Sequence, residues 1–428
     1  MEGLMPQSRR PKGTPAGGQG TQAQRHVGAQ RPASWPALTY EEHPWHVTAE
    51  QAHRLGAVET RRLSRPYRAA LPPQIADLDV MGALERSTLE AAEDAAALTR
   101  EFDAAMAALP VPMPAILLRS ESASSSGIEN LTANARNIAA ATIGADAKEN
   151  SALVAANVAA MREALAHLGP LDLPTILSIH RVLLVTSRPD AAGVLRGEQV
   201  WVGASDQSPH GAPFVAPHPS HVPALMGDLQ RFIERRDMPP LVHAAIAHAQ
   251  FETIHPFSDG NGRTGRVLVH SMLRTSVPIT SSTVPVSAGL LGDTGSYFRA
   301  LTDYRDGDPG RIVTSMSLAA HDAARYGRAL AQRIVETRSG WVSSIDARSD
   351  SAAWRLADHL FSQPVVNAAH VCTALDVSDR GARNAITKLV EAGVLRKAVL
   401  GRRRNVVWQA DAVLAAMDDF ARAAARRR

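Results

Sequence analysis

Hydrophobic residues recur along most of the chain at helical spacing, three and four positions apart. In the segment 83–109 they fall at Leu84, Leu89, Ala92, Leu98, Phe102 and Met106. Residues spaced in this way share one face of an α-helix. The same spacing predicts further helices over 133–168, 173–185, 222–235, 239–255, 264–274, 294–304 and 310–337. The pattern therefore predicts a mainly α-helical protein.

Three segments depart from this pattern. The serine-rich stretch 120–130 has the composition of a loop that enters a helix, and Ser126 and Glu129 have the spacing of a capping box. A short alternating run within 193–203, bracketed by glycines, predicts a β-hairpin. Residues 354–410 predict a helix, a second helix, a turn, a third helix and a basic two-stranded wing.

Changes in composition suggest four parts of the chain. Residues 1–38 are rich in Gly, Gln, Pro and Ala and lack apolar periodicity, which predicts a disordered tail. We expect an N-terminal helical region over 39–132, the main helical domain over 133–345 and a C-terminal domain over 346–428.

The composition is that of a globular protein. The chain has 428 residues, of which 45% are hydrophobic and 21% are charged, a length that suggests two or three domains. The single cysteine, Cys372, excludes an internal disulfide framework and fits a reducing compartment. We find no apolar run near the ~18 residues that a membrane span requires, and no signal peptide. We therefore expect a soluble, cytoplasmic protein without a membrane partner.

The segment IHPFSDGNGRTGR, residues 254–266, concentrates glycine and charge in one turn. Gly260 and Gly262 permit backbone conformations that are closed to other residues. A helix is predicted to begin near Thr264, and the free N–H groups and positive dipole end of a new helix attract anions. The segment thus predicts an anion site.

The side chains around this turn suit a phosphate. Arg263 and Arg266 lie three positions apart, and their guanidinium forks match phosphate oxygens, while Asn261 offers an amide donor. Asp259 would hold Mg²⁺ beside the phosphate, since this ion uses few protein ligands. His255 could accept a proton from an attacking hydroxyl. Together these parts predict phosphoryl or nucleotidyl transfer.

Other interpretations of the same residues remain open. The tripeptide GNG alone marks only a turn, and a histidine beside an apolar helix is more often structural. His248, Glu252 and His255 lie on one helical face, which suggests a metal site. The pattern is not HExxH and no further ligand cluster is evident, so zinc is disfavoured.

Residues 255–266 resemble the signature of Fic-domain proteins, H-x-F-x-(D/E)-G-N-G-R-x-x-R, at every defined position. The segment RGEQVWVG resembles the flap hairpin of that family, and the helices beside the signature resemble its flanking helices. The resemblance covers roughly residues 70–340. It implies a Fic-type helical core with a small β-hairpin flap.

Most Fic proteins transfer AMP from ATP to a hydroxyl of a target protein and release pyrophosphate. The resemblance implies a protein adenylyltransferase with ATP as substrate, Mg²⁺ as cofactor and a partner protein that offers a Ser, Thr or Tyr hydroxyl. His255 would be the general base and Asp259 the Mg²⁺ ligand. Nucleotide binding would involve Gly260, Asn261, Gly262, Arg263 and Arg266. Related Doc kinases carry lysine at the position of Gly262, so glycine there favours adenylyl transfer.

The residues Ser125-x-x-x-Glu129-Asn130 resemble the family's inhibitory-helix motif, (S/T)-x-x-x-E-(G/N). This resemblance implies that Glu129 pairs with Arg266 at the place of the γ-phosphate and misaligns ATP. The capping box stays open beside it. In some relatives the same glutamate supports removal of AMP, so a de-AMPylase is an alternative.

The flap residues Glu198, Gln199, Val200 and Trp201 would lie over the nucleotide and pair with a segment of the target as an added strand. An ordinary surface hairpin, with Trp201 packed on the core, is the alternative. Tyr297 would approach the adenine or pack in the core.

Residues 364–408 resemble a winged helix, with 379–395 as the recognition helix. Such helices read the major groove and wing arginines contact phosphates. The candidate DNA contacts are Arg380, Arg383, Arg402, Arg403 and Arg404. Protein contact or homodimerisation are the alternatives for this module. For the whole chain, the rival to an enzyme is a DNA-binding transcriptional regulator with a nucleotide-sensing Fic core.

Overall fold

Helices predominate in the computed structural model, which describes residues 34–145, 149–167, 169–203, 207–276, 284–399 and 406–426. In chain order they are α1 (Ala49–Leu63), α2 (Arg86–Ala107), α3 (Met113–Ile128), α4 (Ala135–Thr142), α5 (Glu149–Ala166), α6 (Leu173–Leu184), α7 (Val222–Ile233), α8 (Pro240–Ile254), α9 (Asn261–Ser276), α10 (Val286–Leu291), α11 (Thr294–Arg305), α12 (Gly310–Ser344), α13 (Ala352–Ser362), α14 (Ala368–Leu375), α15 (Asp379–Glu391) and α16 (Asp411–Ala425). The predicted mainly helical class is confirmed. Within the described ranges, no helix is long and apolar enough to cross a bilayer.

The strands are short and antiparallel. They are β1 (Thr39–His43), β2 (Tyr67–Leu71), β3 (Trp201–Val202), β4 (Phe214–Val215), β5 (Val365–Val366), β6 (Arg396–Val399) and β7 (Val406–Gln409). Strand β1 pairs with β2, strand β3 pairs with β4, and β7 lies between β5 and β6. Strands β1 and β2 and helix α1 all fall in the first part of the region 39–132, which was expected to be helical but for which no element before residue 83 was delimited.

Helix α8 forms the centre of the core. Its residues from Leu241 to Ile254 are all buried, so it has no solvent-facing stripe, as is typical of a helix enclosed on every side. Helices α2, α7, α9, α11 and α12 pack around it. Its alanines, Ala244, Ala245, Ala247 and Ala249, leave room for these close neighbours. The carboxyl end of α8 is therefore held in place from several sides.

The serine-rich stretch 120–130 is not a loop, and the predicted capping box is wrong. Most of it is the second half of helix α3, and Glu129 follows the last turn as its C-cap. The Ser126 hydroxyl donates to the Ser122 carbonyl at 2.9 Å and caps nothing. The Ser122 hydroxyl donates to the Leu118 carbonyl in the same way. Because serine hydroxyls can bond the carbonyl one turn earlier, a polar segment can be both helical and buried.

The hairpin predicted within 193–203 forms with a more distant partner. Strand β3 pairs with β4, so that Trp201 lies opposite Val215 and Val202 opposite Phe214. The run around Trp201 is too short to fold back on itself, and its second strand comes from beyond residue 207. The helix predicted from residue 264 also begins earlier, at Asn261.

The chain after helix α12 packs against the helices before it. Helix α16 contacts α3 and α12, and α13 contacts α3. The buried Arg119 of α3 donates to the Ser362 carbonyl at 2.9 Å and to Gln363 Oε1 at 2.8 Å. Helices α14 and α15 and strands β6 and β7 occupy the segment that resembles a winged helix. The winged-helix assignment and the domain boundaries stay predictions.

Gly289 allows helices α10 and α12 to touch. A Cβ at this position would lie 2.2 Å from the Ala319 carbonyl oxygen and 2.5 Å from its Cα. We expect Gly289→Ala to lower the free energy of unfolding by about 1–3 kcal/mol, as overpacking does. Urea unfolding measures this change.

Gly340→Ala is the matched control. Gly340 is exposed on α12, and a Cβ there would meet no atom within 4 Å. This variant should gain about 0.5–1 kcal/mol from helix propensity. A Gly289→Ala protein as stable as the parent would contradict the contact between these helices.

Candidate functional site

The loop between α8 and α9 turns the chain within six residues, 255–260. His255 caps α8 in the left-handed conformation, with φ 51° and ψ 60°. Gly260 has φ 75° and precedes the first residue of α9. A left-handed residue other than glycine costs about 1–3 kcal/mol and persists only where its surroundings enforce it. The position of His255 is thus imposed by the packing of the two helices.

Asn261 clamps this loop. Its Oδ1 accepts from the Phe257 N–H at 2.9 Å, and its Nδ2 donates to the Phe257 carbonyl at 2.8 Å. The Phe257 ring is fully buried and stacks on His180 at 3.6 Å between ring centres. The amide of Asn261 is therefore used inside the loop. If Asn261 contacts a nucleotide, which stays a prediction, the contact would be made by its backbone.

Two residues that sequence analysis missed support the loop. His180 Nδ1 accepts from the Gly193 N–H at 2.9 Å, so its Nε2 carries the proton and donates to the Asp259 carbonyl at 3.0 Å. Arg196 Nε donates to the His255 carbonyl at 2.8 Å, and its NH2 donates to the Pro217 carbonyl at 2.6 Å. No sequence motif indicated a role for either residue, although Arg196 is the first residue of the segment RGEQVWVG.

His255 is a neutral base in this structure. Its Nδ1 lies 3.2 Å from the Glu252 carbonyl, which can only accept, so Nδ1 carries the proton and Nε2 keeps its lone pair. Burial lowers the pKa of His255 to about 4. The side chain keeps 19% of its surface exposed. At neutral pH the imidazole can therefore accept a proton at Nε2.

Glu129 lies between the two arginines of the motif. Its Oε1 accepts from Arg266 NH2 at 2.6 Å, and its Oε2 accepts from Arg263 Nε at 2.9 Å. Both guanidinium groups are 3% exposed, whereas Glu129 is 28% exposed. Arg266 also donates to the Ser125 hydroxyl and carbonyl, each at 2.8 Å. Buried cations need such partners, and charge-assisted bonds of this kind are strong.

Two further residues shape the approach of Glu129. Asn130 follows it in the left-handed conformation, with φ 62°, and ends helix α3. A Cβ on Gly262 would lie 2.4 Å from Glu129 Oε1. Glycine at this position therefore leaves room for the carboxylate, in addition to the role at a phosphate that the resemblance implies.

Asp259 can hold a cation only together with other ligands. Its Oδ1 accepts from the Gly260 N–H at 2.6 Å and from Arg263 at 3.3 Å, and its side chain is 43% exposed. Across the described ranges, no three His, Cys, Asp or Glu side chains are grouped to bind a metal. His248 Nε2 instead bonds the Tyr297 hydroxyl at 2.8 Å. Mg²⁺, which takes one carboxylate plus phosphate and water, fits Asp259.

These residues face a cavity of about 610 Å³. Sites for small ligands have volumes of about 300–1,000 Å³. The polar wall holds Glu129, Glu252, His255, Asp259 and Arg266, and the other wall holds Val200, Trp201, Phe214, Tyr297, Phe298 and Leu301. One cavity thus joins an end lined by charged side chains to an apolar end.

The four predicted flap residues differ in their surroundings, and the predicted adenine contact Tyr297 is buried. Val200 and Trp201 line the cavity, and the Trp201 ring meets Trp45 edge to face at 5.6 Å. Gln199 accepts from the Tyr67 hydroxyl at 2.9 Å, and the Glu198 carbonyl accepts from Arg196. Tyr297 lines the cavity with a ring that is 1% exposed.

The candidate DNA contacts lie on the C-terminal module. Arg380 and Arg383 are exposed on α15, where Arg383 pairs with Asp379 at 2.7 Å. Arg402, Arg403 and Arg404 lie outside the described residues. Contact of any of these five with DNA stays a prediction.

The clamp by Asn261 is testable through stability. Asn261→Ala leaves the Phe257 N–H and carbonyl without partners inside the protein, and each buried group left unpaired costs about 1–3 kcal/mol. We expect a fall of about 2–4 kcal/mol in the free energy of unfolding. Asn384→Ala, on the exposed face of α15, is the control and should change it by less than about 0.5 kcal/mol. Equal stabilities of the two variants would refute the clamp.

Comparison with known proteins gives matches over this region. Residues 170–273 match the model of the Fic/DOC family. Protein adenylyltransferase fic-1 of Caenorhabditis briggsae is 28% identical over 162 residues, which is 35% of this chain and 30% of that protein. Protein adenylyltransferase Fic of Aedes aegypti is 36% identical over 106 residues, 24% of this chain and 19% of that protein. The chain thus spans less than a third of the length of these curated relatives.

Solved structures also match. A Fic family protein from Desulfovibrio desulfuricans G20 is 23% identical, with a TM-score of 0.49, and the match covers 75% of this chain and 95% of that one. Fic-1 from C. elegans (aa134 - 508) is 20% identical, with a TM-score of 0.43, and the match covers 55% of this chain and 72% of that one. The signature predicted from residues 255–266 lies inside the matched segment. The segment 170–273 of this chain is thus similar to the Fic/DOC family.

Proposed function

We propose that the protein is a protein adenylyltransferase, which transfers AMP from ATP to a hydroxyl side chain of a target protein. One observation carries the proposal: a neutral histidine, protonated at Nδ1, shares a cavity with the buried Arg266, which together with the buried Arg263 lies at the start of a helix. Curated proteins that match this domain are named protein adenylyltransferases, which supports the same activity.

The proposed reaction uses His255 as its base. The O–H bond of the target hydroxyl breaks, and its proton moves to His255 Nε2. The hydroxyl oxygen forms a bond to the α-phosphorus of ATP. The bond between that phosphorus and the bridging oxygen to the β-phosphate breaks, and pyrophosphate leaves with the electron pair. The imidazolium then returns its proton to solvent.

The phosphates would replace Glu129 as the partners of the arginines. Arg263 and Arg266 would bind the β- and γ-phosphates, and the N–H groups at the start of α9 would face the same anion. Mg²⁺ at Asp259 would neutralise phosphate charge. The apolar wall around Trp201 and Tyr297 would take the adenine.

This arrangement makes Glu129 a built-in inhibitor. Its carboxylate forms ion pairs with both arginines, at 2.6 and 2.9 Å, so a γ-phosphate must displace it. A nucleotide that binds while Glu129 stays in place would lie out of line for attack at the α-phosphorus. Autoinhibition follows from competition between one carboxylate and one phosphate for the same two cations.

The role of His255 predicts a loss of transfer. With α-labelled ATP and Mg²⁺, His255→Ala should lower labelling of the protein or its target by at least about 100-fold, the usual size of a general-base effect. Binding of magnesium nucleotide, measured by calorimetry, should persist. His46 is exposed and lies far from the loop in the sequence, so His46→Ala is the matched control. Labelling by this variant should equal that of the parent. Full transfer activity of His255→Ala would disprove the role of His255 as the base.

Inhibition by Glu129 predicts a gain of transfer. Glu129→Gly removes charge-assisted bonds worth about 1.5–3 kcal/mol each, so auto-labelling should rise about tenfold or more. Glu129→Gln, which keeps the shape without the charge, should rise as well. Glu101→Gly, at an exposed position of α2, controls for the loss of a helical glutamate. Unchanged labelling in both Glu129 variants would exclude the inhibitory role.

The alternatives stay predictions with separate tests. A phosphate-transferring enzyme would label from γ-labelled rather than α-labelled ATP, and a de-AMPylase would remove AMP from a modified target. Among the described residues, Arg380 and Arg383, which are exposed on α15, favour the DNA-binding regulator. It predicts duplex binding that weakens steeply with salt, without label transfer.

A further inference from the structure

Glu252 lines the cavity but has no role in the proposed transfer reaction. It precedes His255 by one turn of α8 and is 6% exposed. Its Oε2 lies 3.8 Å from His255 Nδ1. Its Oε1 is buried, and no hydrogen-bond partner for it exists among the described residues. A buried carboxyl oxygen without a partner is costly and requires a reason.

The neighbouring helix leaves space for this carboxyl group. A Cβ at Gly265 of α9 would lie 3.1 Å from Glu252 Oε1. The helices therefore approach each other around the carboxyl group. No ion pair with the motif arginines holds it, since Glu129 occupies both of them.

Charged and titratable groups face Glu252 from every side. Arg266 from α9 and Arg305 from α11 favour its ionised form, while Glu129 after α3 opposes it. Tyr297 and His248 are its uncharged neighbours. Burial outweighs the two arginines and raises the pKa of Glu252 to about 7. The carboxyl group therefore changes charge near neutral pH.

We propose that Glu252 is a positioning residue for His255, whose ionised carboxylate stabilises the imidazolium that forms when Nε2 accepts the target's proton. The inference rests on the proposed function. The Glu252 carbonyl sets the tautomer, and the carboxylate of the same residue supplies the opposing charge 3.8 Å away. An opposite charge at ~4–6 Å or less favours the charged form of a group. Glu252 takes no proton from the substrate.

The transfer rate should rise with pH, because the carboxylate of Glu252 forms as the pH rises. The pKa of Glu252 is raised, so its carboxylate is present above about pH 7 and is lost as the pH falls below it. The pKa of His255, lowered to about 4, keeps that imidazole neutral over the whole range from pH 5.5 upward. A rise in transfer rate with pH that Glu252→Gln removes therefore reports on Glu252.

The experiment compares Glu252→Gln with its parent, both carrying Glu129→Gly. Single-turnover transfer from α-labelled ATP is followed from about pH 5.5 to 8.5, with nucleotide affinity measured by calorimetry. Because Glu129→Gly removes a charge that opposes ionisation of Glu252, we expect the parent rate to rise with its midpoint below pH 7. The Gln variant should lose that rise and fall about tenfold below the parent at pH 8, the effect of about one pKa unit in the base. Nucleotide affinity should stay within about twofold, because the carboxylate acts on the base.

Glu252→Asp keeps the proposal testable if the amide disturbs folding. It retains an ionisable group and should keep a rise with pH, displaced and smaller. A Gln variant with the parent's pH profile would overturn the inference alone. So would a variant that loses nucleotide affinity while its transfer rate is unchanged. A parent without AMP transfer at any pH would overturn the proposed function, and this inference with it.

Discussion

Two guanidinium groups buried at the start of one helix set the main constraint on this protein. Arg263 and Arg266 are each 3% exposed, and they share a helix end that already favours negative charge. Cations in such a place require an anion, because leaving a buried charge unpaired costs several kcal/mol, on the order of 3–5. Glu129 is that anion in the structure. The site therefore has two candidate occupants, its own carboxylate or a phosphate.

The rest of the domain holds this charge arrangement rigid. Helix α8 is enclosed by the core, Asn261 closes the loop on itself, and His180 and Arg196 hold it from outside. None of these contacts needs a ligand, so the loop is formed in advance. Preorganised dipoles and donors of this kind act on a transition state without the cost of rearrangement.

Much of the site could be predicted because its signals are local in the chain. The motif 255–266 places a histidine, an acid and two arginines in one turn, and helical periodicity located α6, α7, α8 and α11 within a residue or two. His180 and Arg196 could not be predicted in the same way. They act through backbone carbonyls 79 and 59 positions away, and no local pattern indicates which carbonyls will come near. The missed helix α3 shows the same limit, since its serines favour a loop by composition.

The sequence by itself determined the helical class, the anion-binding turn and the identity of its charged side chains, because periodicity and glycine spacing act over neighbouring residues. Only the tertiary structure decided what those side chains contact. It brought Glu129 within 2.6 Å of Arg266 across 137 positions, paired β3 with β4, and turned the Asn261 amide inward to the loop. Contacts between distant segments depend on how helices pack, and packing is a property of the whole core.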